Sequence, residues 1–199
     1  GGHSYDCENI AEIKNVAEAE RSAVVMAADA IRGTGLTCPI VSVGSTPTAL
    51  HAECLDGVTE MRPGVYMFGD LFQCSIGSCT LDDLALSVLV SVNGWRSDEH
   101  RAMVDAGALA LSLDRGAPDG NGAYAFGMAA DMNGAPLTGQ PRIRQVNQEH
   151  GFLMGLRDRP DIGQHLRILP NHACSTAAQY EIYHVINGDG QIVDRWQRT

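Results

Sequence analysis

His172 and Cys174 are the two side chains whose types and spacing speak most directly of chemistry. They stand two residues apart in Pro170-Asn171-His172-Ala173-Cys174-Ser175-Thr176. On an extended chain, alternate residues project to the same side, so an imidazole and a thiolate here would clasp one cation. Zinc takes nitrogen and sulfur ligands, and a borderline ion suits such a pair. Two protein ligands do not close a structural zinc site, so the ion would keep open positions for water or substrate. The plainer alternative is a buried cysteine beside an exposed histidine.

Gly44-Ser45-Thr46-Pro47-Thr48 follows the apolar run 39–43. A glycine and hydroxyl loop between a strand and a helix aims backbone N–H groups at an anion, and the helix dipole favours a phosphate there. The GK[ST] ending of a Walker loop is missing. The alternative is an ordinary cap, with Ser45 or Thr46 closing the helix N-terminus. In Arg62-Pro63-Gly64-Val65-Tyr66, Gly64 would let a ligand approach the backbone. Arg62 and Tyr66 would share one face of a strand over 59–68. A Pro-Gly bulge with a surface arginine is the competing account. Gln148-Glu149-His150-Gly151 is either support for a metal site or a polar turn. Gly2-His3-Ser4-Tyr5-Asp6 is either a loop feeding a helix cap or a site loop with a phenol.

The elements that must position these groups change character along the chain. Residues 6–32 predict one amphipathic helix, with Ile10, Ile13, Ala17, Val24, Ala28 and Ile31 in a stripe, Asp6 as N-cap and Gly33 as the stop. A buried parallel strand at 39–43, a short helix at 48–54 and a strand at 59–68 follow. From about residue 80, short β-type runs at 86–92, 108–113, 143–146, 166–169, 180–186 and 191–196 are parted by Gly, Asn, Asp and Pro. Residues 116–122 predict a surface loop and 187–190 a hairpin turn. The expectation is α/β plus β: residues 1–78 as the C-terminal part of a β/α (TIM-type) barrel, and 79–199 as a mostly antiparallel β domain carrying the metal site. Two or three parallel strands cannot close a barrel of eight units, so the first part reads as the end of a larger domain.

Composition narrows the function classes. The chain has 199 residues and a formal charge of −10, which argues against general binding to nucleic-acid phosphates. No run of about 18 apolar residues predicts a membrane span. The six cysteines are scattered without a CxxC pair, so reduced thiols in a cytoplasmic protein are the default. The first residue is Gly1, without a leader behind it, and the start shown is expected not to be the start of translation.

Taken together, Gly2-His3-Ser4-Tyr5-Asp6, Val41-Ser42-Val43-Gly44-Ser45-Thr46-Pro47-Thr48, Arg62-Pro63-Gly64-Val65-Tyr66 with Asp70, Asp105-Ala106-Gly107, Gln148-Glu149-His150-Gly151 and Pro170-Asn171-His172-Ala173-Cys174 carry a resemblance. In this order they resemble the C-terminal half of the pyridoxal-phosphate-dependent D-serine dehydratase and D-threonine aldolase relatives, which share the alanine racemase-type fold. The resemblance implies Gly44, Ser45 and Thr46 beside the cofactor phosphate, backbone donors from Gly64 and Val65, and Arg62 near the pyridine nitrogen. It implies Tyr5 and Tyr66 lining the cofactor pocket, Tyr5 also as a catalytic group. His172 and Cys174 would bind a divalent metal, zinc first and manganese second. By the same resemblance the dehydratases carry His-x-Cys with zinc and the aldolases His-x-Asp with manganese-like ions.

The implied reaction is dehydration and deamination of D-serine or a related D-3-hydroxy amino acid to a 2-oxo acid and ammonia. Retro-aldol cleavage to glycine and an aldehyde is the alternative. A racemase would need no metal. The family's Schiff-base lysine is not matched, because the single lysine, Lys14, falls inside the first predicted helix. A non-catalytic binding or assembly module is therefore a further alternative. For an enzyme, a missing N-terminal half or companion chain must bring the lysine, and a homodimer is implied.

Overall fold

The computed structural model describes residues 2–115 and 125–198, and the loop expected at 116–122 lies outside them. The chain separates into two compact units, Gly1–Met67 with Gln73–Thr80, and Phe68–Phe72 with Leu81–Thr199.

The first unit opens with a 3-10 turn, Gly2–Asp6, followed by α1 (Ile10–Gly33), β1 (Ser42–Val43), α2 (Thr46–His51), β2 (Glu60–Met61) and a 3-10 turn at Val65–Met67. α1 is capped by Asn9 and not by Asp6, which sits in the preceding turn. The Asn9 side chain accepts the Glu12 N–H at 3.0 Å, and the Glu12 carboxylate accepts the Glu8 N–H at 2.8 Å. Such a cap contributes about 1 kcal/mol. Gly33 is still helical; the chain leaves the helix through Thr34 and Gly35, whose φ of +87° suits glycine. Ile13, Ala17 and Ala28 are buried, whereas Ile10 and Ile31 at the two ends are 43% and 42% exposed, so only the middle of the predicted stripe packs.

β1 and β2 pair in parallel, Ser42 with Glu60 and Val43 with Met61. Only the last two residues of the expected 39–43 strand enter this ladder. The strand expected at 59–68 ends at Met61: Pro63 has no N–H to give, and Val65–Met67 coils into the 3-10 turn. Arg62 and Tyr66 therefore do not share the face of one strand. The described residues of this unit form two parallel strands and two helices, and no β/α barrel is seen among the described residues.

α3 (Leu71–Ser75) spans the point where the chain passes between units, and a 3-10 turn follows at Leu81–Asp83. The second unit then runs β3 (Val88–Arg96), β4 (Arg101–Val104), α4 (Ala108–Leu111), β5 (Gly127–Ala130), β6 (Arg142–Val146), β7 (Gly151–Met154), β8 (His165–Pro170), α5 (Ala173–Ala177), β9 (Ile182–Ile186) and β10 (Ile192–Gln197). Among the described residues, six strands close into an antiparallel barrel in the order β3-β4-β7-β6-β5-β8, with β8 pairing back to β3. Closure removes the exposed edges that an open sheet of these short strands would leave.

Alternation fills the barrel. Val88, Val90 and Val92 point inward with Ala102, Val104, Ile143, Leu153, Leu166 and Ile168, while Leu89 faces out. Gly127 permits the β5–β8 approach, since a Cβ there would lie 2.5 Å from Ile168 Cγ2 and 2.8 Å from the Leu169 carbonyl oxygen. The run expected as β at 108–113 is instead helical as α4, capped by Gly107 and ended by Ser112 at φ +71°. Alanine and leucine are strong helix formers, and four apolar residues in a row carry no period that separates helix from strand. β9 and β10 form a separate antiparallel hairpin, turned at 187–190, where the Gly190 N–H donates to the Asn187 carbonyl at 3.0 Å.

Candidate functional site

The second unit brings His172 and Cys174 together at the start of α5. His172 is the N-cap residue, with extended φ −133° and ψ 100°, and Cys174 lies in the first helical turn. The pair thus spans a strand-to-helix corner, and the extended spacing expected from sequence is replaced by a helical one. β8 delivers the chain to this corner through Pro170. Three anchors hold it. The buried Asp70 carboxylate accepts the Ala173 N–H at 2.9 Å, placing a negative charge at the N-terminus of α5. The Asn171 amide donates to the carbonyls of Arg115 and, at 2.6 Å, Ala125. The Thr176 hydroxyl, fully buried, donates to the Leu111 carbonyl at 3.2 Å.

On this frame the His172 imidazole meets Asp114: Nδ1 lies 2.5 Å from Asp114 Oδ2 and 3.1 Å from Ser175 Oγ. Its pKa is pushed up to about 9, first by hydrogen bonding with the Cys174 side chain and then by Asp114, against the lowering effect of burial. Nδ1 is engaged by a carboxylate, which leaves Nε2 as the ring nitrogen for a cation. That arrangement is the common outer support of a metal-ligating histidine. An exposed thiol and a carboxylate-supported imidazole fit a zinc-like ion as a pair of ligands. Among the described residues no group of three or more His, Cys, Asp or Glu side chains is arranged to hold a metal ion.

In the first unit, Ser45 caps α2 with φ 130° and ψ 147°, a backbone region that only glycine adopts freely. Its hydroxyl lies 3.0 Å from Ser4 Oγ and 2.7 Å from Thr48 Oγ1, and accepts the Thr48 N–H at 3.3 Å. The Thr46 hydroxyl accepts the Val65 N–H at 3.1 Å, so these two expected cradle residues bind each other. The Gly44 N–H donates to Glu20 Oε1 at 3.4 Å, and Thr48 Oγ1 donates to Glu20 Oε2 at 3.2 Å. Glu20, Gly44, Ser45 and Thr48 line one shallow concavity. Three hydroxyls thus cluster under a strained backbone at the start of α2, and the Gly44 N–H and the Thr48 hydroxyl are engaged by the Glu20 carboxylate.

Arg62 Nε donates to Ser42 Oγ at 2.7 Å and lies 3.2 Å from Glu60 Oε1. Gly64, Tyr5 and Tyr66 are exposed. Gln148, Glu149 and His150 form the turn between β6 and β7, closed by the Asn147 N–H on the His150 carbonyl at 2.8 Å. Gly107 packs against that turn, where a Cβ would lie 2.4 Å from the Asn147 carbonyl oxygen. Lys14 lies in α1 and pairs with Glu53 at 2.5 Å. No described helix is long and apolar enough to cross a membrane.

Sequence reasoning missed Asp114, and Asn171 and Ser175 entered it without a role. Nothing local marks Asp114, because its partner is 58 residues further along the chain.

Comparison with known proteins agrees with the β-rich architecture and with the resemblance. D-threo-3-hydroxyaspartate dehydratase of Delftia sp. HT23 is 45% identical over 205 residues, covering 99% of this chain and 53% of that protein. Its solved structure superposes with a TM-score of 0.89 over the whole chain and 54% of its own. A cysteine-to-alanine variant of that dehydratase has been solved in a metal-free form. D-serine dehydratase of Dictyostelium discoideum is 34% identical, covering 98% of this chain and 51% of that protein. An alanine racemase-like protein from Idiomarina loihiensis has a TM-score of 0.88 at 37% identity, covering 100% of this chain and 54% of that one. The chain spans about half the length of the curated relatives it matches. The family described as "Putative serine dehydratase domain" matches residues 85–186, and the chain belongs to that family.

Proposed function

We propose that this chain is the C-terminal half of a pyridoxal-phosphate-dependent, metal-assisted lyase that dehydrates and deaminates D-3-hydroxy amino acids. D-serine and D-threo-3-hydroxyaspartate are the first substrates to test, by similarity to the named dehydratases. The His172–Cys174 pair on its Asp114-supported corner carries this proposal. His172 and Cys174 would hold a divalent ion, zinc before manganese, and that ion would act as a Lewis acid toward the substrate's 3-hydroxyl. Pyridoxal phosphate, when bound, supplies an electron sink for a carbanion at the substrate's α-carbon.

The chain's own residues bind and orient. Ser45, with Gly44 and Thr46, would take the phosphate at the strained corner, and Gly64 and Val65 border it in sequence. Arg62 is assigned to the pyridine nitrogen, with Tyr5 and Tyr66 beside the ring and Tyr5 as the candidate proton carrier. The parallel β1–β2 pair with α1 and α2 belongs, in this account, to the end of a β/α barrel. The rest of the barrel and the anchoring lysine come from a missing N-terminal half or companion chain, in a cytoplasmic homodimer.

Three rivals have separate signatures. An aldolase gives glycine and an aldehyde, a racemase is insensitive to chelation, and an assembly module turns over nothing. The test is assay of the intact protein with D-serine and D-threo-3-hydroxyaspartate before and after chelation. Release of ammonia and a 2-oxo acid, lost on chelation and restored by zinc, is the expected result. Glycine as the product, or turnover unaffected by chelation, refutes the proposal.

A further inference from the structure

Asp114 and His172 belong to two stretches tied together at three levels. Thr176 Oγ1 reaches the Leu111 carbonyl at 3.2 Å, Nδ1 of His172 meets Asp114 Oδ2 at 2.5 Å, and the Asn171 amide holds the Arg115 carbonyl. Asn171 is 3% exposed and Thr176 0%, so the outer two bonds spring from buried side chains, while the middle one, between His172 and Asp114, is exposed. An isolated exposed pair of this kind is worth little, because its side chains spend entropy to meet. Here the bonds on either side already hold the two stretches together, so the Asp114 carboxylate and the His172 ring meet across a fixed frame.

We propose that Asp114 is a positioning residue for the metal: it engages Nδ1 of His172, fixes the ring's tautomer and rotation, and so presents Nε2 beside the Cys174 thiol. This rests on the metal reading of His172 and Cys174 given above. Ser175 Oγ, 3.1 Å from the same nitrogen, adds a second and weaker contact. Outer partners of this type change metal affinity by about 10- to 100-fold. A purely structural Asp114 would instead change the stability of the metal-free protein.

The experiment measures zinc affinity by chelator competition in the intact protein, for Asp114→Ala, Asp114→Asn and His172→Ala, together with the melting temperature of each metal-free form. The expected result is a loss of about 10- to 100-fold for Asp114→Ala with little change in melting temperature. Asp114→Asn, which keeps an acceptor oxygen for Nδ1–H, should recover most of the affinity. Zinc held as tightly by Asp114→Ala as by the wild type, while His172→Ala loses it, overturns the positioning role alone. Zinc retained by His172→Ala overturns both that role and the metal site. A lower melting temperature for Asp114→Ala with no recovery in Asp114→Asn also overturns the positioning role.

Discussion

Ser45 holds a backbone conformation that costs about 1–3 kcal/mol for a residue with a side chain, and its φ of 130° persists under the hydroxyls of Ser4 and Thr48. Glycine adopts that region freely and is nearly as good a cap, losing only a few tenths of a kcal/mol. Ser45→Gly is therefore expected to raise the melting temperature while weakening retention of pyridoxal phosphate. Thermal melts and cofactor titration check the two halves separately. At the other corner, the proposed site's choice of ion would rest on the thiol. Cys174→Asp replaces a soft donor by a hard one, and metal analysis after dialysis against equal zinc and manganese should show a shift toward manganese.

Elements, more than single residues, keep these corners in place. Gly127 sits where β5 touches β8, and Gly127→Ala would press a Cβ to 2.5 Å from Ile168 Cγ2. Overpacking of this kind costs about 1–3 kcal/mol, so a denaturation midpoint lower by that much is expected. Tyr180 donates to the Ala110 carbonyl at 3.3 Å, and burial, with a smaller effect of Asp105, raises its pKa. A phenol whose folded pKa is raised contributes stability that is fully present below its unfolded value near 10 and declines as pH rises through the folded one. Tyr180→Phe should flatten that alkaline decline in melting temperature, at a cost of about 0.5–1.5 kcal/mol at neutral pH for the lost hydrogen bond.

Patterned elements were readable in the sequence: the 86–92 alternation lies largely in β3, 143–146 in β6, 166–169 in β8, and the 187–190 turn joins β9 to β10. β4, β5 and β7 were not anticipated. Arg-Ala-Met-Val, Gly-Met-Ala-Ala and Gly-Phe-Leu-Met are four residues each, and their strand state comes from barrel closure rather than local preference. At the site, the His172–Cys174 spacing was visible, but the helical corner was not. Asp70 and Asp114 act there through contacts 103 and 58 residues distant in sequence, which no local pattern encodes.

At the scale of the molecule, the chain matches about half of each dehydratase relative, and its single lysine, Lys14, is paired with Glu53 in α1. That pair lies on the surface, with the Lys14 and Glu53 side chains 42% and 70% exposed, and the lysine that anchors the cofactor is proposed to lie outside this chain. The chain by itself is expected to show no absorbance of lysine-linked pyridoxal phosphate, and to gain it only with the lysine-bearing portion present. Mixing followed by borohydride trapping and mass analysis locates the modified lysine. Modification of Lys14 itself would contradict the division of labour between the two halves.

Metal content of the intact protein, wild type against Cys174→Ala, tests the central claim most directly. One zinc-like ion per chain, lost in the variant together with lyase activity, is the predicted result. Equal metal content in the two proteins would contradict it.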